Sequence, residues 1–128
     1  MERGQTPFTP AVGILLELNQ RLKQIDSIGV AEVVEHRKKM ANMFRTEASK
    51  LGYEVPQYTL SNALTPLIVK PHAKQFYEIL RKRYDMMVTP SGGSMADVLV
   101  RVGHLGNLEW KDYELLLGAM DEMRDELK

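Results

Sequence analysis

The chain has 128 residues, enough for one domain that buries about two-thirds of the surface its unfolded form exposes. Lys plus Arg and Asp plus Glu number 17 each, so the formal net charge is zero, and no basic stripe with interleaved aromatic residues favours nucleic acid or an anionic membrane. The absence of cysteine excludes disulfides, thiolate zinc sites and cysteine nucleophiles. No run reaches the ~20 apolar residues of a membrane span and no signal peptide is evident, so we expect a soluble, cytoplasmic protein.

Two helices are predicted in the first half of the chain. Thr9-Pro10 is typical of a helix start, with the threonine as side-chain cap and the proline in the first turn. Gly29 ends this helix, and a second runs from about Val30 to Leu51 with Val33, Met40, Phe44 and Leu51 toward the core. The charged positions of the second helix predict a solvated face; they are Glu32, Glu35, Arg37, Lys38, Lys39, Arg45 and Glu47.

The second half alternates short strands with helices. Leu64 to Val69 is predicted as a strand at a sheet edge or with an irregular start, because Pro66 cannot donate to a ladder. A helix from about Ala73 to Tyr84 and strands at Met86 to Val88 and Val98 to Val102 follow. Asn107 is expected to cap the last helix, whose apolar stripe is Trp110, Tyr113, Leu117, Met120 and either Met123 or Leu127. The methionines, including Met87, fit core positions.

This order predicts an α+β fold. Helices would cover one face of a short, mostly antiparallel sheet in a two-layer small domain, which a long linking helix precedes. We find no internal repeat and no low-complexity segment.

Arg101 is the residue most suggestive of chemistry, because it interrupts the apolar run of the last strand. A guanidinium keeps its proton, and burial without a partner costs several kcal/mol, so an anion is expected beside it. The alternatives are an internal Asp or Glu and a ligand carboxylate or phosphate. Thr9 is a second candidate, because a helix start that carries a hydroxyl can also contact a phosphate.

The other polar residues form no catalytic set that we can identify. His36, His72 and His104 lack metal-ligand spacing to one another or to an acidic residue, and a lone histidine in a turn such as His104 is most often structural. Ser91-Gly92-Gly93-Ser94 is too short and too common to indicate a phosphate cradle, and a strand connection is the simpler interpretation.

Two segments carry recognisable motifs: Thr6-Pro7-Phe8-Thr9-Pro10 and Val100-Arg101-Val102-Gly103-His104-Leu105-Gly106. Together they resemble the C-terminal portion of class V aminotransferases, the fold-type I pyridoxal-phosphate enzymes that include serine-pyruvate and alanine-glyoxylate transaminases. The first segment is similar to the family's TPxTP entry into the helix that leaves the cofactor domain, and the second is similar to its more specific FRIGHMG signature. The resemblance covers nearly the whole chain and implies that residues 1–28 end the large domain and form the linking helix, while residues 29–128 form the small domain.

The resemblance implies roles for both candidate residues. Arg101 would hold the α-carboxylate of the amino acid or 2-oxo acid, and Thr9 would reach the pyridoxal 5'-phosphate of the neighbouring subunit, because the family's active sites lie at a homodimer interface. Ser91-Gly92-Gly93 falls where the family has a loop near the substrate.

The lysine for the Schiff base precedes this portion in the family, and none of the nine lysines here matches its motif. We therefore expect the chain to be inactive by itself and not to bind pyridoxal phosphate alone. Two alternatives are an accessory or interaction subunit, since some members carry a soluble-hydrogenase-subunit label, and a small module that binds an amino acid through Arg101.

Overall fold

The computed structural model describes residues 8–127. Two compact units are present, divided between Glu35 and His36 inside the second helix. The first unit contains helix α1 (Val12–Ile28), which ends at Gly29, where a φ of +93° in the left-handed region favours glycine. No α1 residue is buried within the described residues, and its exposed apolar side chains are Val12, Ile14, Leu15, Leu16, Leu18, Leu22 and Ile28.

The second unit contains the sheet and the other helices. Helix α2 (Val30–Lys50) extends into it and is followed by β1 (Leu64–Ile68), α3 (Ala73–Arg83), β2 (Thr89–Pro90), β3 (Leu99–Gly103) and α4 (Trp110–Met123). Short 3-10 turns lie at Gly93–Met95 and Arg124–Leu127. The strand order is β1-β3-β2 and both pairings are antiparallel, so β1 lies at an edge, as Pro66 predicted.

One hydrophobic core joins the helices to one face of the sheet. Its fully buried side chains include Phe44 of α2, Leu67 of β1, Phe76 of α3, Val100 of β3 and Met120 of α4. Along β3 the buried positions alternate with exposed ones, which places Arg101 on the uncovered face. The α+β fold is confirmed.

Several local predictions are wrong. Helix α1 begins at Val12 with Ala11 at the N-cap position and no side-chain cap, so Thr9 does not cap it. The second strand in chain order is Thr89–Pro90 rather than Met86 to Val88, because these are the residues that pair with Arg101 and Val100 of β3.

Burial and capping also differ at single positions. Asn107 does not cap α4; Glu109 and Asp112 form a reciprocal capping box instead. Met87 is 76% exposed rather than in the core, and Val33 and Leu51 are only half-buried.

Candidate functional site

Arg101 lies at the centre of β3 on the face of the sheet that the helices leave open. Val100 and Val102 on either side point into the core and are buried. Pro66 of β1 and Thr89 of β2 are its partners across the two strand pairs. The three-stranded sheet therefore holds the arginine from both sides and presents its side chain to solvent.

Among the described residues, the Arg101 guanidinium makes one hydrogen bond, from Nη2 to the carbonyl oxygen of Pro90 at 3.0 Å. Within residues 8–127, no carboxylate lies within ion-pair distance of it, so the alternative of an internal Asp or Glu partner is not observed there. The expectation that the strand buries this arginine is wrong, because the alternating pattern of β3 directs the side chain outward. The remaining donors of the planar fork are therefore available to a ligand.

A surface cavity of about 400 Å³ adjoins this arginine. Among the described residues that line it, Arg101 is the only charged one and Thr89 contributes a hydroxyl. The other lining residues are apolar or glycine: Ala63, Leu64, Met87, Val88, Gly103, Leu105 and Leu108. One cation against apolar walls is suited to a small monocarboxylate with an apolar or short side chain.

A hydrogen-bonded network lies behind the cavity, and it crosses four elements. Arg45 of α2 donates from Nε to the Thr65 hydroxyl at 2.9 Å, and that hydroxyl is 2.7 Å from Nε2 of His104. The Nδ1 atom of His104 is 3.1 Å from the Tyr113 hydroxyl, which donates to the Gly103 carbonyl oxygen. The His104 ring therefore lies between two hydroxyl groups, with Nε2 within hydrogen-bond distance of Thr65 and Nδ1 within hydrogen-bond distance of Tyr113.

Burial sets the protonation state of this network. Desolvation, followed by the positive charges of Arg45 and Arg37, lowers the pKa of His104 to about 4, so the imidazole is neutral at pH 7. Burial also raises the pKa of Tyr113 and lowers that of Arg45. His104 is thus a structural histidine whose ring packs at 5.6 Å from the Phe44 ring.

The predicted solvated face of α2 is wrong at Arg37 and Arg45. Each is half-buried and binds main-chain oxygens in the same unit. Their spacing of eight residues, with Met40, Ala41 and Phe44 buried between them, is the signal that could have placed them beside the core.

Thr9 is exposed and lies three residues before the start of α1. It belongs to the first compact unit, whereas Arg101 belongs to the second. The 3-10 turn that contains Gly93 does not line the Arg101 cavity in the described part of the chain.

Residues 8–127 place no lysine beside Arg101 for a Schiff base. Every lysine from Lys23 to Lys111 is exposed, and none lines the Arg101 cavity, whereas a Schiff-base lysine needs a sheltered place beside the substrate. Residues 8–127 also contain no group of three or more His, Cys, Asp or Glu side chains that could hold a metal ion. No helix in this range combines the length and apolar character needed to cross a bilayer.

No family model matches the chain. It is 24% identical over 127 residues to a protein named soluble hydrogenase, small subunit, of Synechococcus sp., covering 95% of this chain and 33% of that protein. It is 25% identical over 130 residues to an uncharacterized aminotransferase of Methanocaldococcus jannaschii, covering 98% of this chain and 34% of the relative.

A solved structure shows the same fold. The alanine–glyoxylate aminotransferase of Nostoc sp. superposes with a TM-score of 0.85 at 19% identity, over 94% of this chain and 33% of that one. The chain thus spans about a third of the length of the relatives it matches. The resemblance to the C-terminal domain of class V aminotransferases is confirmed at the level of the fold.

Proposed function

We propose that this chain is the C-terminal part of a pyridoxal-phosphate-dependent aminotransferase that moves an amino group between a small amino acid and a 2-oxo acid. The observation that carries the proposal is Arg101, a guanidinium without a carboxylate partner in residues 8–127, at the edge of a cavity of about 400 Å³ in a domain with the aminotransferase fold. The chain corresponds to about a third of its relatives. In the class V aminotransferases that it resembles, the catalytic lysine precedes this portion, so we assign the lysine to a preceding domain.

Arg101 binds the substrate carboxylate and orients the substrate. A planar guanidinium pairs with a carboxylate through two parallel hydrogen bonds, which fix the plane of the acid as well as its distance. The hydrogen bond from Arg101 Nη2 to the Pro90 carbonyl oxygen limits rotation of the arginine side chain. The side chain therefore loses less conformational entropy when the ligand binds. Apolar side chains line the cavity beside the guanidinium, so they offer no competing acceptor for its donors.

Thr9 contacts the cofactor phosphate of a neighbouring subunit in this proposal, and the complete enzyme is a homodimer. Its exposed hydroxyl is compatible with that role. The cofactor, when bound in the complete enzyme, supplies the electron sink for amino transfer. The absence of cysteine suits a reducing compartment, and we place the enzyme in the cytoplasm.

The second candidate function is a non-catalytic accessory subunit, which the name of the Synechococcus relative favours. Such a subunit would have to act without cysteine ligands. Metal analysis of the purified chain separates the two functions, because stoichiometric iron or nickel would support the accessory role.

The test of the main proposal is to sequence the gene upstream of the Met1 codon and to assay the encoded polypeptide for amino transfer from alanine or serine to glyoxylate or pyruvate. We expect an in-frame domain that carries the lysine, and no amino transfer by the 128-residue chain alone. A preceding domain without a cofactor lysine, or none at all, would contradict the proposal.

A further inference from the structure

Two arginines of α2 bind main-chain oxygens instead of carboxylates. Arg45 donates from Nη2 to the carbonyl oxygens of Ser61 at 2.6 Å and Leu64 at 3.2 Å. Arg37 donates from Nη2 to the carbonyl oxygen of Gly106. Neither has a carboxylate within ion-pair distance among the residues that the structure describes. Their charge is therefore used to hold loops, through hydrogen bonds that are stronger than those between neutral groups.

The loops that these arginines hold form two sides of the Arg101 cavity. Ala63 and Leu64 line one side, directly beside the oxygens that Arg45 binds. Leu105 lines another side, one residue before the Gly106 oxygen that Arg37 binds. The two sides are also joined to each other, since the amide of His104 donates to the Ala63 carbonyl oxygen at 2.8 Å.

The helix sets the distance between these two anchor points. Arg37 and Arg45 are eight residues apart, which is just over two turns and about 12 Å along a helix axis. Met40 and Phe44 between them are buried in the core, so α2 cannot shift without disturbing its packing. Gly106 has a φ of +92°, a left-handed conformation that gives this turn one defined shape.

Arg37 is placed at a cost. Its Nη1 atom is buried and has no hydrogen-bond partner among the described residues. A buried donor without a partner is rare in folded proteins and calls for an explanation. The hydrogen bond from Arg37 Nη2 to the Gly106 carbonyl oxygen explains the burial of Nη1, because this bond can form only when the guanidinium is partly buried.

We propose that Arg37 and Arg45 are positioning residues that hold the two walls of the Arg101 cavity at the separation a small carboxylate ligand requires. This inference rests on the proposed role of Arg101 as the carboxylate site. Neither residue touches the ligand. Arg45 acts through the start of β1 at Leu64, and Arg37 acts through the turn that contains Leu105, and both leucine side chains are exposed at the cavity.

The experiment is a titration of the 128-residue chain with sodium pyruvate at constant ionic strength, followed by the NMR signals of the Arg101 side chain and the Leu64 and Leu105 amides. Sodium chloride is the reference for non-specific anion effects. The variants are Arg37→Lys and Arg45→Lys, which keep the charge and lose the fork, so a change in affinity reports geometry rather than attraction.

Two matched controls accompany them. Arg81→Lys makes the same exchange at an exposed residue of α3 that pairs with Glu78. Val69→Ala truncates a buried side chain just beyond the end of β1 opposite to Leu64, and it lowers stability without touching the cavity. All measurements are made well below the unfolding temperature of the least stable variant.

We expect each Arg→Lys exchange on α2 to raise the dissociation constant for pyruvate about fivefold, because a displacement of one wall weakens a preorganised site, while both controls bind as the wild type does. Unchanged affinity in both α2 variants, or an equal loss in Val69→Ala, would overturn the inference while leaving Arg101 as the carboxylate site. Absence of saturable binding by the wild type, or binding that survives Arg101→Lys, would overturn the proposed function as well.

Discussion

Arg101 is recognisable in the sequence, but its surroundings are not. A charged residue within an apolar strand is visible in the sequence, and the FRIGHMG-like motif adds its expected role. Whether an acidic side chain neutralises it depends on which residues of β1 and β2 pair with β3, and long-range register is not encoded locally. In the structure its neighbours across the strands are Pro66 and Thr89, neither of which is charged.

His104 makes the stability of the domain depend on pH. Its folded pKa of about 4 lies below the ordinary 6.5, so the unfolded chain binds more protons between these values and stability is lost as pH falls. The two pKa values correspond to a decrease of about 2 kcal/mol in the free energy of unfolding between pH 7.5 and pH 5, which urea denaturation at both values measures.

Two histidine variants make this pH test specific. His104→Gln cannot titrate, so its stability should change little over the same range, although it is less stable at pH 7.5. His36→Gln removes an exposed histidine of α2 and should retain the wild-type pH dependence. Equal slopes for the wild type and His104→Gln would show that another group is responsible.

Arg37 and Arg45 show why residue environments were harder to predict than residue types. Charged positions on an amphipathic helix are mostly solvated, and the five other residues of the predicted charged face are half-buried at most. The oxygens that attract these two arginines belong to loops before β1 and after β3, far away in sequence. A hydrogen-bond partner of that kind leaves no periodic signal in the helix.

One side-chain network connects α2, β1, the turn after β3 and α4. Its members, in that order, are Arg45, Thr65, His104 and Tyr113. Thr65→Val leaves Arg45 Nε and His104 Nε2 without this partner, and Tyr113→Phe leaves His104 Nδ1 without one. Each change should cost about 1–3 kcal/mol of the free energy of unfolding, the usual cost of a buried polar group left unpaired.

Because both variants act on the same imidazole, we expect their effects to be non-additive. A double-mutant cycle by urea denaturation should give a coupling energy of about 0.5 kcal/mol or more. Tyr58→Phe removes a hydroxyl from an exposed tyrosine and should leave stability unchanged. Strict additivity of Thr65→Val and Tyr113→Phe would contradict a shared network.

The periodicity of apolar residues predicts the types of the helices and strands. Their ends depend on which of several neighbouring residues takes the capping position. The sequence predicts the apolar stripe of α4, but Glu109 rather than Asn107 takes the capping position because the Asp112 carboxylate accepts a hydrogen bond from the Glu109 amide. Thr9 likewise does not cap α1, because the helix begins at Val12 without a side-chain cap. Single-residue cap preferences cannot resolve such alternatives.

The second compact unit of the molecule contains a complete hydrophobic core. The buried members of the core cluster lie between Met40 and Met123. A shortened chain of residues 36–128 should therefore unfold cooperatively at the same urea midpoint as the full chain, measured by circular dichroism. A lower midpoint or a non-cooperative transition would show that residues 1–35 are needed for this unit to fold.

Pyruvate titration of the 128-residue chain and of its Arg101→Lys variant measures whether Arg101 binds the carboxylate of a small 2-oxo acid or amino acid. We expect saturable binding by the wild type with a dissociation constant on the order of 10 mM, since one charge-assisted pair in an open cavity supplies about 3 kcal/mol. We expect no saturation for Arg101→Lys and wild-type binding for Arg81→Lys. Equal affinity of the wild type and Arg101→Lys, or no binding by the wild type, would contradict this role of Arg101.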